Sequence, residues 1–191
     1  MRWLTTALFA STLVACGADA PSPAGAWHAV TELTPSGTLQ LTRAEASREA
    51  LFAALVATLT EEIQERGAAS AITVCKERAP QLAARVAADR GVSIGRTSWK
   101  LRNPDNRGPE WVRDAMVGRP ESPLYFEDDR GRFGLLTPIR LQEPCLNCHG
   151  SEDRLAPGVR ERLAELYPDD AATGFAAGDL RGWFWVEVPA S

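Results

Sequence analysis

The segment Cys145-Leu146-Asn147-Cys148-His149-Gly150 constrains this chain of 191 residues more than any other part of its sequence. Two thiols lie three positions apart, and a histidine directly follows the second thiol. Such a pair serves in a redox-active disulfide, in half of a zinc site, or in the covalent attachment of a c-type haem. Each use needs different partners, so the remaining sequence discriminates among them.

Attachment of haem explains all three side chains of this motif. Cys145 and Cys148 would each form a thioether with the haem, and His149 would then lie at the iron as an axial ligand. A thioredoxin-like redox pair would instead open a helix in a βαβ unit, whereas a predicted strand precedes this motif. A closed zinc site needs three or four ligands, for which Cys75 and His28 are the further candidates. We therefore predict one haem c per chain.

The N-terminal residues resemble the signal peptide of a bacterial lipoprotein. A single Arg precedes an apolar run over residues 3–14, which is too short to span a bilayer. The run ends in Leu13-Val14-Ala15-Cys16, which is similar to a lipobox, and acyl chains on Cys16 would form a stable anchor. We expect a signal peptide over residues 1–15 and a membrane-anchored chain that faces the periplasm. An ordinary soluble signal peptide is the alternative.

The expected export fits the predicted haem, because c-type haem is attached outside the cytoplasm. Residues 16–40 are rich in Ala, Pro, Gly and Ser, which predicts a flexible tether that contains His28. A single domain over residues 41–189 would follow. The net charge of −4 lacks the basic excess of a general nucleic-acid binder, so we expect no nucleic-acid partner.

Hydrophobic periodicity over residues 41–189 predicts an α+β fold. A capping box at Thr42-Arg43-Ala44-Glu45 begins an amphipathic helix that ends near Gly67, and further helices are expected from Ser70 and from Pro80. The predicted strands have the sequences SWKLR, LYFED, FGLLTPI and GWFWVEV. Short helices are predicted for PEWVRDAMV and PGVRERLAELY. The result is an antiparallel sheet with N-terminal helices packed against it.

The assignments above give a role to Cys16, Cys145 and Cys148, but none to Cys75. It lies on the apolar stripe of the second predicted helix, where a buried and inert thiol is common. If His149 binds the iron on one side, the other ligand is Cys75, Met116 or absent. The residues alone leave these alternatives open. Arg96, Lys100 and Arg102 are candidates for pairing with the haem propionates.

Four sequence blocks occur in an order that resembles a known family. They are AITVCKERAP, RTSWKLRNPDNRGPEW, CLNCHG and YPDDAATGFAAGDLRGWFWVEVP, and the resemblance extends over about residues 45–189. The family consists of exported bacterial c-type haem proteins with a PAS-like sheet, formerly catalogued as a domain of unknown function. The resemblance implies His149 and Cys75 as the two axial ligands. It also implies roles in redox sensing or electron transfer, without enzyme activity.

The expected function is therefore that of a lipid-anchored haem protein of the cell envelope. It would sense redox state or a small ligand, or carry one electron, together with a redox or signalling partner that the sequence does not identify. A peroxidase-like enzyme is one alternative, and it would need an open iron face with a distal acid–base group. A haem-free envelope scaffold is the other.

Overall fold

The computed structural model describes residues 25–190. The helices in this range are α1 (Pro35–Arg66), α2 (Ala68–Arg90), α3 (Glu110–Ala115), α4 (Leu146–His149) and α5 (Val159–Leu166). The strands are β1 (Trp27–Val30), β2 (Ser93–Thr97), β3 (Leu124–Asp128), β4 (Phe133–Arg140) and β5 (Leu180–Val188). The expected signal peptide and Cys16 lie outside the described residues. Within residues 25–190, no helix has the length and apolar character needed to cross a membrane.

The five strands form one antiparallel sheet in the order β1-β3-β4-β5-β2. β4 and β5 lie at its centre, and successive side chains of β5 enter different cores, as the alternation of a strand requires. Trp183 packs among aromatic residues on one face of the sheet, and Phe184 packs beneath α1 and α2 on the other. The predicted α+β fold with an antiparallel sheet is confirmed.

Helices α1 and α2 form a hairpin that covers one face of the sheet. Leu51 of α1 and Leu135 of β4 are almost fully buried in the shared core. Glu62 joins the two helices, because its carboxylate accepts hydrogen bonds from Arg66 of α1 and Ser70 of α2. These bonds lower the pKa of Glu62 to about 2, so the carboxylate stays ionised and the link between the helices persists.

The prediction of a flexible tether over residues 16–40 is wrong for its second half. β1 pairs with β3, and its Trp27 ring stacks on Trp111 at 4.9 Å between ring centroids. Thr34 caps α1 by accepting a hydrogen bond of 2.9 Å from the Gly37 amide, and Pro35 follows at the first helical position. Pro, Gly and Ser thus begin a helix here, although their abundance suggested a linker.

Two other predicted boundaries also differ from the structure. The helices expected from Ser70 and Pro80 are one helix, α2, which contains Pro80 in its interior because its apolar face continues along the core. The strand in this region is β2 (Ser93–Thr97), and it ends directly before the predicted SWKLR strand at residues 98–102. Ser98 bends the chain there by accepting a hydrogen bond from the Lys100 amide and donating one to the Arg181 carbonyl.

Replacement of Gly182 by Ala should destabilise the fold. A Cβ atom at this position of β5 would lie 2.2 Å from the Thr97 carbonyl oxygen, so β2 and β5 would have to separate. We expect the free energy of unfolding to fall by about 1–3 kcal/mol in urea titrations. Gly118→Ala is the matched control, because no atom lies within 4 Å of its added Cβ. Equal free energies of unfolding for Gly182→Ala and Gly118→Ala would contradict the close approach of Gly182 to the Thr97 carbonyl.

Candidate haem site

One cavity of about 330 Å³ lies between α1, α2, α4 and the sheet. Its lining brings together Cys75, Cys145, Cys148 and His149, which come from two distant parts of the chain. These are the attachment and ligand residues expected from the sequence. The three cysteines are free thiols in this structure, so no disulfide joins the two cysteines of the motif.

Helical geometry places the motif side chains on one wall of this cavity. Cys145, Cys148 and His149 are spaced as i, i+3 and i+4 around the short helix α4, and residues at these spacings share a helix face. Leu146 lies on the other side of the helix and is 1% exposed in a small core with Phe175. Burial of Leu146 therefore fixes the rotation of the helix that presents the motif.

His149 is held in the form that binds a metal. Its Nδ1 lies 2.7 Å from the Ala172 carbonyl oxygen, which can only accept a hydrogen bond, and 3.3 Å from Arg181 Nε, which can only donate one. The shorter contact favours a proton on Nδ1. The other ring nitrogen, Nε2, is then the unprotonated one. Burial lowers the pKa of His149 well below its ordinary value, and the positive charges of Arg102 and Arg181 lower it further. A neutral imidazole that donates to a carbonyl is the usual state of a metal-bound histidine.

A buried ion pair holds the Ala172 carbonyl in place. Arg102 donates hydrogen bonds to the Asp170 carboxylate at 3.1 Å and to the Cys148 carbonyl at 2.6 Å. Asp170 in turn accepts a hydrogen bond of 3.0 Å from the Ala172 amide. Arg102 therefore joins the motif to the loop that orients His149, and these bonds occupy its Nε and Nη2 atoms. The sequence offered no local signal for this pair, because 68 positions separate its members.

The cavity carries more positive than negative charge. Among the described residues that line it, Arg96, Arg102 and Arg181 are cations and no carboxylate is present. Burial and the charges of the neighbouring arginines lower the pKa of Arg181 to about 10, so it remains protonated near neutral pH. Lys100 lies outside this lining and contacts the Phe175 ring at 4.9 Å. An anionic group inside the cavity would offset this excess charge.

An apolar stripe of α1 forms the outer wall of the cavity. Phe52 and Val56 line it and remain 41% and 44% exposed, with Leu59 and Ile63 further along the helix. Large apolar side chains that stay open to solvent indicate a surface that a ligand covers. The apolar wall, the cationic groups and the thiols with one histidine fit a haem, whose ring is apolar and whose propionates are anionic.

Met116, the other candidate iron ligand, and His28, the candidate zinc ligand, lie elsewhere. Met116 packs with the aromatic core on the opposite face of the sheet, where the Thr97 hydroxyl lies 3.9 Å from its sulphur. His28 is exposed on β1, and its Nε2 lies 2.7 Å from Asp129. Neither side chain lines the cavity. The described residues contain no group of three or more His, Cys, Asp or Glu side chains placed to share one metal ion.

Known proteins resemble this chain in sequence and fold. The chain is similar to the crystal structure of the cyanobacterial haem protein Tll0287, with 26% sequence identity and a TM-score of 0.56. The similarity covers 82% of this chain and 97% of the Tll0287 chain. Comparison with curated proteins gives no match. The sequence model of the Tll0287-like family matches residues 31–189, which include α1, α2, the motif and four of the five strands. The chain therefore belongs to the Tll0287-like family.

Proposed function

We propose that this chain is a c-type haem protein in which Cys145 and Cys148 hold the haem covalently. His149 and Cys75 would bind the iron from opposite sides. The observation that carries this proposal is the convergence of these four side chains on one cavity with an apolar wall. The family match to a haem protein supports it.

Cys75 is favoured over Met116 as the second ligand by its place in the fold. Cys75 lines the same cavity as His149, whereas Met116 packs on the other face of the sheet. A sheet strand separates Met116 from the cavity, so its sulphur could reach an iron there only if the core opened. The position of Cys75 on α2 needs no such rearrangement.

The proposed role is one-electron transfer or the sensing of redox state or a small ligand in the cell envelope. Haem supplies the one-electron couple, and a thiolate ligand lowers its potential relative to a methionine ligand. The protein contributes a fixed His149 and a ligand on a separate helix, Cys75 on α2, which can be retained by a carrier or released by a sensor. The segment before Cys16, which is similar to a lipobox, supports attachment of the domain to the periplasmic side of a membrane.

The Arg102–Asp170 pair would serve this role by keeping His149 in one orientation. The pair holds the loop that contains Ala172, and the Ala172 carbonyl fixes the proton on Nδ1 of His149. Loss of the loop position would free the imidazole to rotate and would weaken its bond to the iron. Arg102 is in this sense a positioning residue.

Replacement of both motif cysteines should abolish covalent haem attachment. We expect the wild-type chain, produced together with a cytochrome c maturation system, to gain the mass of one haem and to stain for haem on a denaturing gel. Cys145→Ser with Cys148→Ser should retain neither property. A haem stain that survives in the double variant, or a colourless wild-type protein, would contradict the proposal.

Cys75→Ala should change the ferric absorption and EPR spectra from those of a low-spin thiolate-bound haem. The substitution removes the proposed ligand and leaves the iron open or bound to water. Met116→Leu is the matched control, since it replaces the other sulphur candidate with a side chain of similar volume. We expect its spectra to equal those of the wild type. If Met116→Leu changes the spectra and Cys75→Ala does not, the second iron ligand is Met116.

Arg102→Ala should lower the free energy of unfolding by about 3–5 kcal/mol, because it leaves the Asp170 carboxylate buried without a partner. The control is Arg140→Ala, whose pair with Glu121 is exposed at the surface and contributes about 1 kcal/mol or less. Urea titrations of the haem-loaded protein measure both values. Equal losses in the two variants would show that the buried pair does not organise the site.

A further inference from the structure

A second cavity of about 560 Å³ adjoins the first. It lies between α2, β2 and the turn over residues 103–109, and small side chains such as Ala83 and Ala84 form much of its lining. Its charged lining residues are Arg96, Arg107 and Asp105, so cations outnumber carboxylates. Cys75 and Arg96 line both cavities, whereas Cys145, Cys148 and His149 line the first alone. The second cavity therefore approaches the haem site from the side of Cys75.

Arg96 is the charged group at the junction of the two cavities. Among the described residues, no carboxylate or carbonyl accepts a hydrogen bond from its guanidinium, whereas Arg102 and Arg181 both have acceptors. Burial lowers the pKa of Arg96, while the neighbouring Cys75 and Tyr167 oppose that effect. Arg96 is partly exposed, and a guanidinium with unfilled donors that faces a cavity is well suited to an anion.

We propose that the second cavity admits a small inorganic anion that binds metals, of the size of azide, cyanide or hydrosulfide, and that Arg96 binds this anion beside the iron. The inference rests on the proposed function, in which Cys75 is an iron ligand. The anion would take the coordination position of Cys75. In this exchange the iron–sulphur bond breaks, a bond from the anion to iron forms, and no electron is transferred. The released sulphur keeps its electron pair and leaves as the thiolate.

A haem propionate is the other anionic group that could accept hydrogen bonds from Arg96. The place of Arg96 favours the external anion, because Arg96 lies beside the axial ligand Cys75 and opens to the second cavity. A propionate is carried at the rim of the haem ring, away from the axial position. If Arg96 binds an external anion, its replacement should weaken azide binding. If Arg96 binds a propionate, azide affinity should not change.

The test uses haem-loaded Cys75→Ala, because this variant frees the coordination position. Azide affinity of the ferric protein is measured by optical titration, and carbon monoxide affinity of the ferrous protein serves as the uncharged comparison. We expect a further Arg96→Gln substitution to weaken azide binding about tenfold or more, because a charge-assisted hydrogen bond is lost. Carbon monoxide affinity should change by less than about twofold. Arg96→Lys, which retains the charge, should recover part of the azide affinity.

The access route is tested on the surface of α2. Ala84 and Ala88 are both exposed, but Ala84 lines the second cavity and Ala88 does not. In the same background, Ala84→Trp should slow azide association about tenfold by narrowing the cavity, and Ala88→Trp should leave the rate unchanged. Stopped-flow mixing measures both rates.

Two results would overturn the inference. Azide affinity that is unchanged by Arg96→Gln would assign Arg96 to a propionate or to packing. Equal association rates in Ala84→Trp and Ala88→Trp would show that anions reach the iron elsewhere. Failure of the proposed function is seen separately, because the spectra of wild type and Cys75→Ala, recorded before any anion is added, would then be identical.

Discussion

The buried ion pair between Arg102 and Asp170 is the interaction on which the site depends. Both side chains are 8% exposed, so their charges interact in a medium of low polarity and each requires the other. Through this pair the Cys148 carbonyl and the Ala172 amide become parts of one network. The ion pair acts together with direct backbone contacts, because the Gly174 and Phe175 amides donate hydrogen bonds to the Gly150 and His149 carbonyls.

The two faces of the sheet differ in how closely they are packed. One face carries a closed aromatic core, in which Trp183 is fully buried and contacts the Trp99 ring at 5.5 Å between centroids. The other face is covered by α1 and α2 along most of its length, and it is open at the end where the motif lies. Rigid packing on one side thus supports a cavity on the other. Cys75 on α2 and the motif on α4 both lie on the face of the sheet opposite the aromatic core.

Local patterns allowed much of the fold and site to be predicted from the sequence. The apolar stripe around Cys75 predicted its helix, and the resemblance to a haem protein family is confirmed by the family match. The use of the motif in haem attachment stays a prediction. The antiparallel sheet followed from alternating residues, although its PAS-like character stays a prediction. Contacts between distant residues could not be predicted in this way. The pairing of β1 with β3, the partner of Arg102 and the cavity shared by Cys75 and Arg96 all depend on the tertiary arrangement.

The open apolar stripe of α1 has a consequence for biogenesis. A chain that has not received its cofactor leaves Phe52 and Val56 in contact with water, and such a patch is the kind of surface to which chaperones and proteases bind. Covering the stripe removes that surface and at the same time stabilises the folded state, because only the folded chain offers the cavity. Survival of the chain would then depend on cofactor loading, and copies without the cofactor would be the first to be degraded.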